Sequence, residues 1–422
     1  MNTPVKPPEP NDEPRQFAVE VVQKLRAAGF EALWAGGCVR DLLLGGTPHD
    51  YDVATSATPK QVQELFGRRR TIPVGAAFGV IVVLGPRKAA GQIEVATFRT
   101  DAAYSDGRRP DSVQFSTPEE DAKRRDFTIN GMFYDPIECR VIDYVNGQQD
   151  LKTGVIRAIG EAEARIAEDK LRMLRAVRFA ARFSFAIDDA TATAITVNAQ
   201  GVELVSGERI AVEVQKTLST DRSSWAVQVW HELGLLSVLL PEVEESWAKV
   251  WQEAETLLGD LGGGQGWILK LAALLFELDD SSKLVGDIKQ RWKLSNADAR
   301  LLGYAVSELE LFLIADERPW SELQPKVVHE DFGNVMRLVR AVAKRDGKSG
   351  SIHWLETRID ELRRQNELDP APFLLGQDLI AAGMKPGPMF RELLSEARRM
   401  QLDEELSGRD AALAWLHKQS QS

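Results

Sequence analysis

Strand character in this chain is concentrated before Gly160; beyond it little resembles strand, and the periodic segments carry apolar residues at helical spacing. That asymmetry excludes one sheet-centred fold running through all 422 residues. It predicts a small mixed α/β part followed by a long helical one. Length argues the same way, since a single hydrophobic core stops growing at roughly 250–300 residues.

In the first part, residues 17–28 have helical spacing and stop at Gly29. A short strand at 32–35 runs into Gly36-Gly37, and a helix over 39–44 ends at Gly45-Gly46. Residues 49–53 alternate as a strand, and Thr58 with Pro59 opens a helix through Phe66. Residues 80–84 and 92–98 read as paired strands. Beyond Gly160, helices are predicted over 162–183, 187–199, 208–218 and 224–233. Gly262-Gly263-Gly264 is a loop, 344–351 a linker, and the Pro- and Gly-rich stretch 369–388 predicts a last module of turns and short helices.

Lys plus Arg number 52 against 63 Asp plus Glu, a net charge of −11, so a polyanion must be met by a local basic cluster rather than the whole surface. Residues 163–185 are such a cluster, with six Lys or Arg against three acids. Two cysteines, Cys38 and Cys139, make no disulfide framework, and the five scattered histidines add no zinc spacing. The Pro-rich start lacks a signal-peptide core, and no apolar run approaches the roughly 20 residues that span a bilayer. A reduced, cytoplasmic protein with no membrane partner is expected.

Asp50-Tyr51-Asp52 is the first chemical candidate, because alternation along a strand aims both carboxylates one way, toward one or two divalent cations. Upstream, Gly36-Gly37 lets backbone N–H groups approach phosphate, and Arg40 adds a fork donor. No P-loop and no dinucleotide fingerprint is present.

Together GGCVRDLLLGGTPHDYDVAT (36–55) resembles the head signature of class II tRNA nucleotidyltransferases and bacterial poly(A) polymerases, within the polymerase-β superfamily. The resemblance recurs in IEVATFR (93–99), YSDGRRPDSV (104–113), RRDFTINGMFYD (124–135), EDKLRMLRAVRFAARF (168–183), GERIAVEVQK (207–216) and RWKLSN (291–296). It implies an α+β fold, a small nucleotidyltransferase head followed by an elongated all-helical neck, body and tail. The expected boundaries are 1–16 for a disordered tail, 17–158 for the head, 159–245 for the neck, 246–345 for the body and 346–422 for the RNA-gripping tail.

The resemblance also implies roles. Asp50 and Asp52 would hold a two-metal Mg2+ site, and Glu94 would take the proton of an attacking 3′-hydroxyl. Arg125 and Asp126 match a ribose-binding motif, with the 2′-hydroxyl on the carboxylate, while Arg124 is assigned to structure. Asp169 and Arg172, three apart on the predicted helix, would act as a protein template. A carboxylate only accepts and a guanidinium only donates, which suits cytosine and adenine and opposes uracil and guanine. The alternative is an ordinary helix salt bridge. Arg175 and Arg178 would help hold the nucleotide, and Arg182 would face solvent or RNA. Residues 106–111 match a loop that couples nucleotide choice to the primer.

Leu274-Leu275-Phe276-Glu277-Leu278 lacks the His-Asp pair of an HD phosphohydrolase, so no second metal-dependent activity is expected. The leading expectation is addition of CCA to tRNA 3′ ends from CTP and ATP, with the tRNA 3′ end and elbow as partners. The rivals are an A-adding half-enzyme or poly(A) polymerase of the same fold, and a non-catalytic RNA-binding protein. The sequence fixes no oligomeric state.

Overall fold

The computed structural model describes residues 12–75, 79–101, 113–264 and 266–420. The chain divides into two compact units, Met1–Glu245 and Ser246–Ser422.

The first unit opens with α1 (Glu13–Ala27), which begins earlier than residue 17 because Asp12 caps it, its side chain accepting from the Arg15 N–H. Residues 13–16 therefore belong to a helix, not to a tail. There follow β1 (Ala32–Ala35), α2 (Gly37–Leu43), β2 (Asp52–Thr55), α3 (Pro59–Phe66), β3 (Thr71–Gly75), β4 (Val80–Leu84) and β5 (Gln92–Thr97). Next are β6 (Arg99–Asp101), β7 (Val113–Phe115), α4 (Pro118–Lys123), β8 (Phe133–Asp135), β9 (Arg140–Ile142), α5 (Gly147–Thr153) and β10 (Val155–Ile156).

A seven-stranded sheet in the order β3-β4-β5-β2-β1-β8-β9 is antiparallel throughout except where β2 runs parallel to β5. One face buries Leu33, Ala35, Ala54, Phe98 and Phe133. Trp34 packs against Tyr51 and Tyr134, and its Nε1–H donates to the Ala18 carbonyl of α1.

β2 begins at Asp52 rather than at residue 49. Trp34 pairs with Val53, so β1 runs out at Ala35, opposite Asp52, where Gly36 turns the chain into α2 at φ +71°. Beyond that turn no β1 partner remains to extend the ladder, and Asp50 lies just outside the strand. The α3 cap is as expected, with Thr58 also in a capping box with Gln61.

The helical half of this unit holds α6 (Ala162–Glu168), α7 (Leu171–Phe183), the short β11 (Ala186–Ile187) parallel to β10, α8 (Asp189–Asn198), α9 (Gly207–Leu218), α10 (Ser223–Glu232), α11 (Leu236–Leu239) and α12 (Pro241–Glu245). The single helix expected over 162–183 is two. Asp169 is extended, at φ −143° and ψ 105°, and its Oδ1 accepts the Leu171 N–H. A short acceptor side chain thus competes with the helix backbone and restarts the helix.

The second unit is all helical: α13 (Trp247–Asp260), α14 (Trp267–Leu275), α15 (Ser281–Trp292), α16 (Asn296–Leu313), α17 (Trp320–Val327), α18 (Phe332–Arg345), α19 (Ser349–Gln365), α20 (Gly376–Ala381), α21 (Pro388–Leu402) and α22 (Arg409–Ser420). The expected linker at 344–351 is a tight turn. Gly347 at φ +70° reverses the chain between α18 and α19, which pack on each other. The last module is also more regular than its composition suggested, with α21 and α22 spanning 15 and 12 residues over a core of Leu379, Ala397, Ala412 and Leu416. Glu277, where an HD motif would have its acid, pairs with Arg345 at 2.7 Å. Among the described residues no helix is long and apolar enough to cross a membrane.

Candidate active site

A cleft of about 520 Å³ in the first unit gathers ten of the sequence-predicted residues: Gly36, Gly37, Arg40, Asp52, Arg125, Asp126, Asp169, Arg172, Arg175 and Arg178. Eight arginines and three aspartates line it, so its walls are strongly cationic inside an acidic chain. Asp50 and Glu94 are exposed beside it rather than in its lining. The loop at 106–111 and residues 76–78 lie outside the described residues.

The register of β2 on β5 sets Asp52 directly beside Glu94, so their side chains leave the same face. Packing around Asp52 and then the charge of Glu94, with Asp50 adding and Arg125 opposing, pushes its carboxyl up to about 6. Side-by-side carboxylates with hard oxygen donors fit a divalent cation such as Mg2+. Asp50, off the strand, does not share the alternation expected of it.

Gly36 is required on two counts. Its φ of +71° with ψ of −126° is a backbone region relaxed for glycine, and a Cβ there would stand 2.8 Å from Arg125 Nη1. Arg40 does not offer a free fork. It is 4% exposed, and its Nε and Nη2 donate to Asp41 while Nη1 donates to Asn130 Oδ1. Burial between α2 and α7 leaves its donors no water, so protein acceptors take them.

The segment after α4 is held by Asp121, whose two oxygens take Arg124 at 2.7 Å and Arg125 at 3.0 Å. Asp126 accepts from the Phe127 N–H and Asn130 on Oδ1, and from Arg175 Nε and Nη2 on Oδ2. Burial alone would raise its carboxyl, but Arg175 and these hydrogen bonds outweigh it and hold it well below the usual carboxylate range. A ribose hydroxyl would therefore join an acceptor that Arg175 already occupies.

Asp169 and Arg172 line one wall but do not pair. Arg172 Nη1 donates to Glu168 Oε2 at 2.8 Å and to the Arg165 carbonyl at 2.6 Å. Asp169 Oδ2 takes Arg209 Nη2 at 2.8 Å. The expected pairing of Asp169 with Arg172 is thus absent, and Arg172 makes its i,i+4 salt bridge with Glu168 instead. Arg178 Nε stands 2.6 Å from Glu213 Oε2, and the Phe179 ring carries Arg40, Arg175 and Arg178 against it. Arg182 is half exposed and 3.7 Å from Asp41.

Sequence reasoning missed Asp121, Asn130, Arg209 and Glu213. The last two stand in GERIAVEVQK (207–216), where the resemblance marks the stretch but implies no role for a residue.

Residues 32–157 match the poly A polymerase head domain, and residues 184–246 match the probable RNA and SrmB-binding site of polymerase A. The CCA-adding enzyme of Ligilactobacillus salivarius is 32% identical over 397 residues, covering 90% of this chain and 91% of the relative. The chain belongs to the CCA-adding enzyme family. The enzyme of Lactobacillus delbrueckii subsp. bulgaricus is 34% identical, covering 94% and 96% of the two chains. A crystal structure of the Bacillus stearothermophilus CCA-adding enzyme in complex with CTP superposes with a TM-score of 0.78 at 31% identity over 98% of both chains.

Proposed function

We propose that this cleft joins CTP- and ATP-derived nucleotides to the 3′ end of tRNA to build CCA, without a nucleic-acid template. The observation that carries the reading is one cleft in which Asp52, beside Glu94, meets Asp169, Arg172 and a wall of arginines. The 3′-hydroxyl oxygen attacks the α-phosphorus, the bond to the β-phosphate oxygen breaks, and pyrophosphate leaves. Glu94 takes the hydroxyl proton. Asp50 and Asp52 would hold Mg2+, which when bound neutralises triphosphate charge and activates the hydroxyl.

Arginines of the cleft other than Arg40, whose fork Asp41 and Asn130 already take, bind phosphate as fork donors, with Gly36 and Gly37 allowing close backbone approach. Asp126, with Arg125 beside it, receives the ribose 2′-hydroxyl. Asp169 accepts the exocyclic amino group of cytosine or adenine, and Arg172 donates to the neighbouring ring nitrogen. Uracil and guanine would set acceptor against acceptor and donor against donor, and a buried polar group left unpaired costs about 1–3 kcal/mol. Residues 17–158 form the catalytic head, 159–245 a nucleotide-selecting and RNA-binding neck, 246–345 a helical body, and 346–422 a tail that grips the tRNA in the cytoplasm.

Asp50→Ala and Asp52→Ala test the reading. Both abolish CMP and AMP incorporation while tRNA binding stays near wild type. Retained turnover in either would remove that residue from the metal site.

A further inference from the structure

Residues 65–93 hold five Lys or Arg and no Asp or Glu, in a chain whose net charge is −11. Three of the five, Arg68, Arg69 and Arg70, form one turn between α3 and β3, and Arg87 and Lys88 stand in the connection from β4 to β5. Arg70 donates Nε and Nη2 to the Leu84 carbonyl, which ties the turn to the end of β4. Arg68, Arg69, Arg87 and Lys88 are exposed. Among the described residues none of the five is ion-paired, and none lines the cleft. Arg87 shares a hollow with Glu13 and Glu20 of α1, so the uncompensated charge is concentrated on Arg68 and Arg69.

The register of the sheet places this charge. Asp52 pairs with Glu94, Glu94 with Val82, and Val82 with Ile72, so one rung runs from the catalytic carboxylates to the edge strand β3. Paired residues leave the same face, which puts Ile72, 43% exposed, on the carboxylate face. Glu94 and Ile72 are two strand spacings apart, about 10 Å. The arginine turn comes immediately before β3, at this same end of the sheet.

A bare sheet edge can also recruit another strand. Pro73, in the middle of β3, lacks an N–H and breaks the row of edge donors, which disfavours that partner. Exposed guanidiniums with no carboxylate fit a polyanion instead. A nucleic-acid strand carries a phosphate about every 3.4 Å, so a strand ending at Glu94 and lying along the rung brings roughly its third to fifth phosphates to the turn.

We propose that Arg68 and Arg69 grip the phosphate backbone of the acceptor strand a few nucleotides behind its growing 3′ end. The inference rests on the reading of Asp52 and Glu94 as the place where the 3′-hydroxyl reacts. It adds a contact on the side of the catalytic carboxylates remote from the arginine-lined cleft, made to the primer rather than to the incoming nucleotide.

The experiment is steady-state CMP addition to a tRNA transcript ending in the discriminator base, at several salt concentrations, by full-length wild type and two double variants, Arg68→Ala/Arg69→Ala and Arg68→Lys/Arg69→Lys. At low salt the Ala pair raises KM for the transcript by about tenfold, and its log–log salt slope is shallower by about 1.4–1.8, from 0.7–0.9 per lost contact. KM for CTP stays within about twofold and Tm within a few degrees, because both side chains are exposed and make no contact that the fold needs. The Lys pair keeps the charge and the wild-type slope. Transcript KM and salt slope both unchanged in the Ala pair overturn the inference and leave the turn to a partner other than RNA.

A neutral methylphosphonate at the third to fifth linkages from the 3′ end locates the contact. It weakens wild type and leaves the Ala pair unaffected, whereas equal weakening of both places the arginines elsewhere on the RNA and overturns the inference. Failure of wild type to extend any transcript would instead sink the reading of the carboxylates. Should the Ala pair not fold, Arg68→Gln/Arg69→Gln decides by the same slope, and failure of both to fold makes the turn structural and overturns the inference.

Discussion

Asp52 and Glu94 are direct neighbours across the only parallel pairing in the seven-stranded sheet, so a carboxylate from each strand leaves the sheet at the same level. Strand order, not sequence proximity, makes that pair. Burial of Asp52 and, after it, the charge of Glu94 at that level push the Asp52 carboxyl up to about 6.

If Glu94 is the general base, Glu94→Gln keeps shape and hydrogen bonding but removes the proton acceptor. It is expected to lower kcat by about 10²- to 10⁴-fold with KM for CTP changed little. Single-turnover incorporation measures this, and an unchanged kcat would reassign Glu94 to charge balance.

Asp126 makes the stability of the first unit sensitive to acid. Its folded carboxyl lies below its unfolded value, so the stabilisation is fully present above the unfolded value, about pH 4, and is lost as pH falls further toward the folded one. Asp126→Asn is therefore less stable than wild type at pH 7, by about 1–3 kcal/mol given the partial exposure of Arg175. The deficit shrinks toward pH 3. Urea unfolding at both pH values checks it, and a deficit independent of pH would contradict the ion-pair account.

Gly36→Ala strains a backbone at φ +71° and sets a methyl 2.8 Å from Arg125 Nη1. The strain costs about 1–3 kcal/mol, and Arg125 must leave its place between Asp121 and the Asn130 carbonyl. KM for both nucleotides is expected to rise more than kcat falls. Urea unfolding and steady-state kinetics on the same preparation would show both effects.

What could be read in advance was local. Thr58-Pro59 announces its helix because the cap and its N–H partner are three residues apart. The β4–β5 pairing was legible because short apolar runs flank a short connection. The break at Asp169 was hidden because amphipathic spacing continues through it, and only the capping habit of aspartate hinted at a restart. The start of β2 depends on where β1 turns away, which the residues around Asp50 do not encode. Arg209 meets Asp169 across 40 residues, and Arg175 meets Asp126 across 49, distances at which spacing carries no information. Ten site residues were nonetheless named before their convergence on one cleft could be seen, because the resemblance supplied the long-range relation that periodicity lacks.

The central claim is that one site adds both C and A and stops. Purified enzyme with CTP and ATP should therefore be given tRNA transcripts ending in the discriminator base, in C and in CC, and the products resolved at single-nucleotide length. The account predicts that all three converge on the same CCA end with no further growth. Extension of the CC transcript alone, or long adenylate tails on any of them, would contradict it.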